Sequence, residues 1–179
     1  LNAFFSALIS MLLFASGQDM PRIFFWLAGS LGLPETRLFL PMGLIAFSTF
    51  IILWLFAHPL NLMALGDFQA YHLGLDVEKM KWVALICASL LSAVAVSMSG
   101  MIGFVGMFVP HASRLLCGAN HRVLVPICAL SGGVLLMLTD TIARIALTGT
   151  ELPVGILTAF IGAPFFLWLL VRNARMLPF

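Results

Sequence analysis

Charged residues are scarce in this sequence. Asp, Glu, Lys and Arg make up 9% of its 179 residues, whereas 62% are hydrophobic, and an average soluble domain carries about a quarter charged residues. This composition excludes an ordinary water-soluble fold. The net charge is only +2, and the basic residues form no stripe that would neutralise a phosphate backbone, so nucleic acid is excluded as a partner.

Signatures of catalysis and of metal binding are also missing. Cys87, Cys117 and Cys128 lie far apart, without the spacing of a zinc site or a disulfide framework. The sequence has no P-loop, no H-E-x-x-H and no G-x-S-x-G motif. We therefore expect no catalytic residue, no metal site and no cofactor in this chain, and no ATP binding through a P-loop.

The sequence starts at Leu1 without an initiator Met. Its first apolar run has no basic flank before it and no small-residue cleavage site after it, which argues against a signal peptide. We interpret the sequence as a fragment that begins inside or near a membrane span.

Long uncharged runs dominate the sequence, and a helix that crosses a bilayer needs about 20 mostly apolar residues. The run from Trp82 to Ser113 is longer than one crossing needs, and Gly100, Gly103 and Gly106 mark the place where it should break or pack closely. The pattern predicts an all-α, polytopic transmembrane helix bundle with about six spanning helices. They are expected near residues 1–17, 38–57, 82–98, 104–117, 123–147 and 153–171.

Basic residues near the span ends predict the orientation, because cytoplasmic loops are enriched in Lys and Arg. If residues 58–81 are cytoplasmic, that side holds the larger share of them, which favours a cytoplasmic C-terminus. The cytoplasmic group is Lys79, Lys81, Arg114, Arg122, Arg172 and Arg175, and the opposite group is Arg22, Arg37 and Arg144.

Two segments do not fit the pattern of a span. Residues 18–35 carry four large apolar side chains between charged ends, which predicts an interfacial amphipathic helix or, equally, an aromatic anchor. Residues 58–80 are polar with an apolar face, and Gly66 and Gly74 should divide them into two short helices. Such a segment has the form of a docking element for a soluble protein, although an ordinary solvated loop fits equally well.

Ionisable residues near the span ends are candidates for function. Asp140 and Arg144 have the i, i+4 spacing of a helical pair, and they indicate either a functional site or a structural ion pair. His111 lies between Pro110 and Arg114, where a hydrogen-bonded histidine near a helix end is favoured over a metal or proton role.

Several stretches of the sequence, taken in their order along the chain, resemble one known family. They are similar to the FecCD-type permeases, the membrane subunits of binding-protein-dependent ABC importers for iron siderophores, haem, cobalamin and related metal chelates. The likeness covers nearly the whole sequence, less sharply over the first 55 residues. The stretches are residues 65–74, 103–114, 120–122, 140–144, 151–155 and 162–164.

The resemblance implies a subunit of about ten spanning helices, of which this sequence is similar to the C-terminal six. It implies a homodimer or a paired equivalent in the inner (plasma) membrane of a prokaryote. The implied partners are an ATP-binding subunit on the cytoplasmic side and a periplasmic or lipid-anchored substrate-binding protein, and the implied activity is transport by alternating access. A non-transporting membrane scaffold or receptor that docks a soluble partner is the alternative.

The resemblance also implies residue roles. Residues 58–80 become the cytoplasmic coupling loop, residues 18–35 contain the short helix at the periplasmic mouth, and Arg144 resembles the arginine that meets an acidic residue of the binding protein. Asp67 stands where many relatives carry Glu, which keeps the charge and shortens its reach. The implied ATPase-coupling residues are Ala64, Leu65, Gly66, Asp67, Ala70, Leu73 and Gly74. The implied structural-motif residues are Gly103, Gly106, Pro110, His111, Arg114, Pro153 and Gly155.

Overall fold

A computed structural model describes residues 2–32, 36–146 and 152–174. The predicted span ends at Leu1 and Leu147, the motif residue Glu151, the basic residue Arg175 and residues 33–35 of the predicted interfacial segment lie outside these residues. The described chain forms nine α-helices and one short 3-10 turn, and no strand. The helices are α1 (Asn2–Ala15), α2 (Met20–Ala28), α3 (Thr36–Leu55), α4 (Ala57–Met63), α5 (Asp67–His72), α6 (Val77–Ser99), α7 (Val105–Cys117), α8 (His121–Ala146) and α9 (Val154–Ala174).

Helices occur at all six positions where spans are predicted, so the all-α polytopic fold is confirmed and the chain is a multi-pass membrane protein. Within the described residues, α3, α6 and α8 are each long and apolar enough to cross a membrane. The α1 helix and the segment Gly17–Ala28 pass the same test as a pair, bent by 112°. The α7 helix, with 13 residues, is shorter than one crossing, and the apolar part of α9 covers Val154–Trp168.

Local sequence signals explain where the helices begin. Asp76 is the N-cap of α6, because its side chain accepts a hydrogen bond from the backbone N–H of Lys79 at 3.2 Å. Asn120 does the same for α8, accepting from the backbone N–H of Arg122 at 3.0 Å. Pro21 lies in the first turn of α2, where its missing N–H costs nothing.

The long uncharged run breaks between α6 and α7, as predicted. The break occurs at Gly100, which has a φ of 68°, and at Phe104, which has a φ of 65° although it is not a glycine. Gly103 lies between them, whereas Gly106 falls inside α7. A Cβ at either of these two glycines would meet no atom of the described residues within 4 Å, so the close packing expected of the three glycines belongs to Gly100 alone.

Backbone hydrogen bonds fasten three helix ends together around Gly29, Gly100 and Gly155, which we call the glycine junction. A Cβ at Gly100 would lie 2.1 Å from the carbonyl oxygen of Trp26, and one at Gly155 would lie 2.1 Å from that of Ala28. Any side chain there would separate α2 from the α6–α7 loop or from α9. The bonds run from Ser30 N to Ser99 O (2.9 Å), from Met101 N to Trp26 O (3.4 Å) and from Gly155 N to Gly29 O (3.2 Å).

The longer helices from α3 onward alternate in direction, which defines two ends of the bundle. The glycine junction lies at the end where α7 and α9 begin. The α8 helix finishes at that end, because Thr139 in its last third lines one cavity with Phe104, next to the start of α7. At the opposite end, the indole Nε1 of Trp54 on α3 donates to the carbonyl oxygen of Arg122 at 3.0 Å. Arg37 and Arg144 are therefore at the junction end, and Arg114 and Arg122 are at the other, in agreement with the predicted grouping.

We predict that Gly100→Ala destabilises the protein by about 2 kcal/mol or more, because alanine at positive φ is strained and its Cβ would collide with the Trp26 carbonyl. For a chain of this size that is a fall of about 4 °C or more in melting temperature, measurable by thermal unfolding in detergent. Gly103→Ala is the matched control and should leave the melting temperature nearly unchanged. Equal melting temperatures for the two variants would contradict the role of the junction.

Candidate functional site

The polar segment between α3 and α6 contains two short helices, α4 and α5. Gly66 separates them with a φ of 110°, and Gly74 follows α5 with a φ of 84°. A Cβ at either position would meet no described atom within 4 Å. The backbone conformation, rather than lack of space, therefore requires glycine at these two positions.

Large apolar side chains project from this segment. The exposed fractions are 77% for Phe68, 70% for Tyr71, 61% for Leu73 and 58% for Leu65, and we call these four residues the exposed patch. The Phe68 ring packs edge-on against the imidazole of His72, with ring centroids 4.4 Å apart. Four neighbouring apolar side chains held outward in a polar segment form a surface suited to a protein partner.

Two of the residues in the exposed patch, Phe68 and Tyr71, are not among the implied coupling residues. Their i, i+3 spacing on a short polar helix is the sequence signal that would have identified them. Ala70, which is implied as a coupling residue, is fully buried, and its carbonyl oxygen accepts a hydrogen bond from Leu75 N at 3.1 Å. Ala70 therefore packs beneath the exposed patch and does not form part of the surface.

Charged pairs flank the exposed patch. The Asp67 carboxylate at the start of α5 pairs with the Lys81 ammonium group on α6. The Asp76 carboxylate binds the Lys79 side chain at 2.7 Å, and hydrogen bonds from the side chain and then the backbone of Lys79 hold the pKa of that carboxyl below its ordinary value. Both pairs are solvent-exposed, so they orient the segment more than they stabilise the fold.

A hydrogen-bond cluster ties α4 to the first turn of α8. The Asn61 Oδ1 atom accepts from the backbone N–H of His121 at 2.8 Å and lies 2.7 Å from its Nδ1. Because this oxygen is an acceptor, Nδ1 carries the proton. Asn61 Nδ2 donates to Asn120 Oδ1 at 2.9 Å. In the sequence, Asn61 belongs to the polar segment and residues 120–122 to a separate motif, and no sequence pattern predicts that the two meet.

At the other end of α8, the predicted ion pair between Asp140 and Arg144 is present. Arg144 Nε lies 2.8 Å from Asp140 Oδ2, and the side chains are 50% and 24% exposed, respectively. The arginine is therefore oriented by a carboxylate one turn away while half of its side chain stays at the surface. The docking role of Arg144 stays a prediction.

The implied structural-motif residues occupy four places. Gly103 lies in the α6–α7 loop, Pro153 is buried immediately before α9, and Gly155 belongs to the glycine junction. The remaining four are on α7: Gly106, Pro110, His111 and Arg114. His111 lies in the middle of α7 and not near its end, and its ring packs edge-on against Phe165 of α9 with centroids 6.0 Å apart.

An open groove of about 410 Å³ runs between α7 and α8. Its walls are apolar except for Ser113 and Ser131, whose hydroxyl groups lie 3.3 Å apart. The walls of this groove offer a bound molecule few polar contacts.

Across residues 2–32, 36–146 and 152–174, no three His, Cys, Asp or Glu side chains lie close enough together to hold a metal ion.

Known proteins resemble this chain over nearly its whole length. The hemin transport system permease protein of Yersinia pestis is 40% identical over 174 residues, which cover 97% of this chain and 52% of the relative. The cobalamin import system permease protein of Halobacterium salinarum is 44% identical over 167 residues, which cover 92% of this chain and 44% of that relative. The vitamin B12 import system permease protein of Salmonella typhi is 38% identical over 165 residues, covering 90% and 49%.

A solved structure has the same fold. It is described as an inward-facing conformation of a metal-chelate type ABC transporter, with a TM-score of 0.81, 37% identity and coverage of 95% of this chain and 56% of that chain. The chain spans about half the length of the curated relatives it matches. The model of the FecCD transport family matches residues 1–172, and the chain therefore belongs to that family.

Proposed function

We propose that this chain is the membrane-spanning permease part of a binding-protein-dependent ABC importer for a metal chelate of the haem, cobalamin or iron-siderophore class. Family membership and the names of the relatives support this class of cargo. The observation that carries the proposal is the exposed patch, which lies on and beside the short helix α5 in the polar segment between two membrane-spanning helices. A soluble subunit that drives transport needs such a surface.

In this proposal residues 58–80 are the coupling loop, and the exposed patch inserts into a cleft of the ATP-binding subunit. Aromatic anchors such as Phe68 and Tyr71 supply much of the affinity when they enter a pocket. The turns at Gly66 and Gly74 present them, Ala70 supports them from below, and Asp67 offers its carboxylate beside Lys81. The chain has no catalytic role, and ATP hydrolysis takes place in the partner.

The opposite end of the bundle receives the substrate-binding protein. Arg144 is held by Asp140 with half of its side chain exposed, so an acidic residue of the binding protein can pair with it and guide docking. The α2 helix lies at the same end, fastened by the glycine junction, and is the proposed interfacial helix at the periplasmic mouth. The protein is accordingly oriented with α4 and α5 toward the cytoplasm of a prokaryote and lies in its inner membrane.

Transport proceeds by alternating access. ATP binding closes the two ATP-binding subunits, each moves a coupling loop, and the helices rock so that the pathway opens to one side at a time. The remainder of the subunit and a second permease copy complete the pathway. Largely apolar walls such as those of the α7–α8 groove bind the chelate weakly, so that affinity resides in the binding protein.

We predict that Asp67→Arg lowers ATP-dependent uptake of radiolabelled hemin and cobalamin into proteoliposomes by about tenfold or more. The new guanidinium group would face the Lys81 ammonium group and any cation that Asp67 meets on the ATP-binding subunit, and like charges brought together at an interface cost several kcal/mol. The double variant Asp67→Arg, Lys81→Asp restores an ion pair with reversed polarity. If the Asp67 carboxylate meets the ATP-binding subunit, uptake stays low in the double variant. Normal uptake by Asp67→Arg would contradict the proposal. Stable ATPase binding by the unmodified transporter without uptake of any chelate would point to other substrates, whereas no ATPase binding at all would favour the scaffold alternative.

We also predict that Phe68→Ala weakens the affinity of the full-length permease for its ATP-binding subunit by about thirtyfold, the effect of losing about 2 kcal/mol from an interface hot spot. Phe47→Ala is the matched control, because Phe47 is 63% exposed but lies on the spanning helix α3. Its affinity should equal that of the unmodified protein. Affinity can be measured by titrating the purified subunit onto permease in nanodiscs, and equal values for the two variants would argue against the patch.

A further inference from the structure

We propose that Asn61 is a positioning residue that joins the coupling loop, residues 58–80, to α8, and we call these residues the coupling segment. The α8 helix would then carry a displacement of the coupling segment to the Arg144 end of the bundle. This inference rests on the proposed function and adds the route by which the two docking ends communicate. It is carried by the cluster of Asn61, Asn120 and His121.

Asn61 completes the N-terminal cap of α8 from another helix. The first N–H groups of a helix have no partner within it. The Asn120 side chain accepts from the backbone N–H of Arg122. The Asn61 side chain accepts both from the backbone N–H of His121 and from the Nδ1–H of the His121 ring. The carboxamide fits in one orientation only, because turning it round would set its NH₂ group against two donors and its oxygen against the Asn120 oxygen.

A proline makes this first turn of α8 depend further on contacts from outside. Pro126 lies inside the helix and has no N–H, so it cannot bond the carbonyl oxygen of Arg122 four residues earlier. The Trp54 indole supplies the missing donor at 3.0 Å. The first turn of α8 is thus held from two sides, by α4 through Asn61 and by α3 through Trp54, but only Asn61 belongs to the coupling segment.

The α8 helix is long enough to join the two ends. Its 26 residues extend about 39 Å at about 1.5 Å per residue, and Arg144 is in its last turn. Buried Thr139 and Ala143 pack the far part of the helix against its neighbours. A movement of α4 therefore reaches the Asp140–Arg144 pair along one hydrogen-bonded element, provided that the bond network at Asn61 transmits it.

The test uses the full-length transporter with its ATP-binding subunits in proteoliposomes. Stimulation of ATP hydrolysis by the binding protein is measured together with retention of the ATP-binding subunit. Asn61→Leu, which removes every bond of the carboxamide, should keep that subunit but lose stimulation by about fivefold or more, the range of a typical coupling between sites. Asn61→Asp keeps the acceptor for His121 and should recover part of it. Trp54→Phe removes a bond from the same turn, outside the coupling segment, and should keep stimulation.

The possible outcomes separate this inference from the proposed function. Full stimulation in Asn61→Leu would overturn the inference, as would an equal loss in Trp54→Phe, which would indicate general damage to the first turn of α8. Loss of the ATP-binding subunit from Asn61→Leu would also overturn it, because Asn61 would then serve docking alone. If the unmodified transporter neither retains that subunit nor responds to a binding protein, the proposed function fails, and the inference fails with it.

Discussion

The backbone groups at the helix ends must find hydrogen-bond partners, and this requirement determines how the chain holds together. In lipid the hydrophobic effect does not drive one helix to associate with another, so close packing and hydrogen bonds between helices stabilise the bundle. At one end of the bundle the partners are other backbone groups, which meet at Gly100 and Gly155 because no Cβ intervenes. At the other end they are side chains, Asn61 and Trp54, which serve the first turn of α8.

Backbone contacts at one end and side-chain contacts at the other suit the two ends of the bundle to different roles. The glycine junction is backbone against backbone, so α2, the α6–α7 loop and the start of α9 behave as one piece. The coupling segment is held through side chains instead: its exposed patch faces solvent and its ion pairs are exposed. A segment of this kind can be moved by a partner, and Asn61 is the point at which such a movement would enter α8.

Much of the fold could be predicted from the sequence, because the length of uncharged runs and the position of charged residues are direct consequences of crossing a bilayer. The break at Gly100 and the Asp140–Arg144 pair follow from equally local signals. The finer assignments were less complete. Of the three glycines expected to break the run or to pack closely, only Gly100 makes a close contact, while Ala70, an implied coupling residue, is buried. The pairing of Asn61 with His121 joins positions sixty residues apart, and no periodicity in one sequence reveals such a contact.

Two different partners are proposed to dock at opposite ends of α8, and cysteine protection tests this most directly. After replacement of Cys87, Cys117 and Cys128 by serine, single cysteines are placed at Gln69 and at Ala146, both exposed. Their labelling by a maleimide is followed in the full-length transporter in nanodiscs. We predict that the ATP-binding subunit slows labelling at position 69 alone and that the binding protein slows it at position 146 alone. Protection of both positions by the same partner, or of neither by any partner, would contradict it.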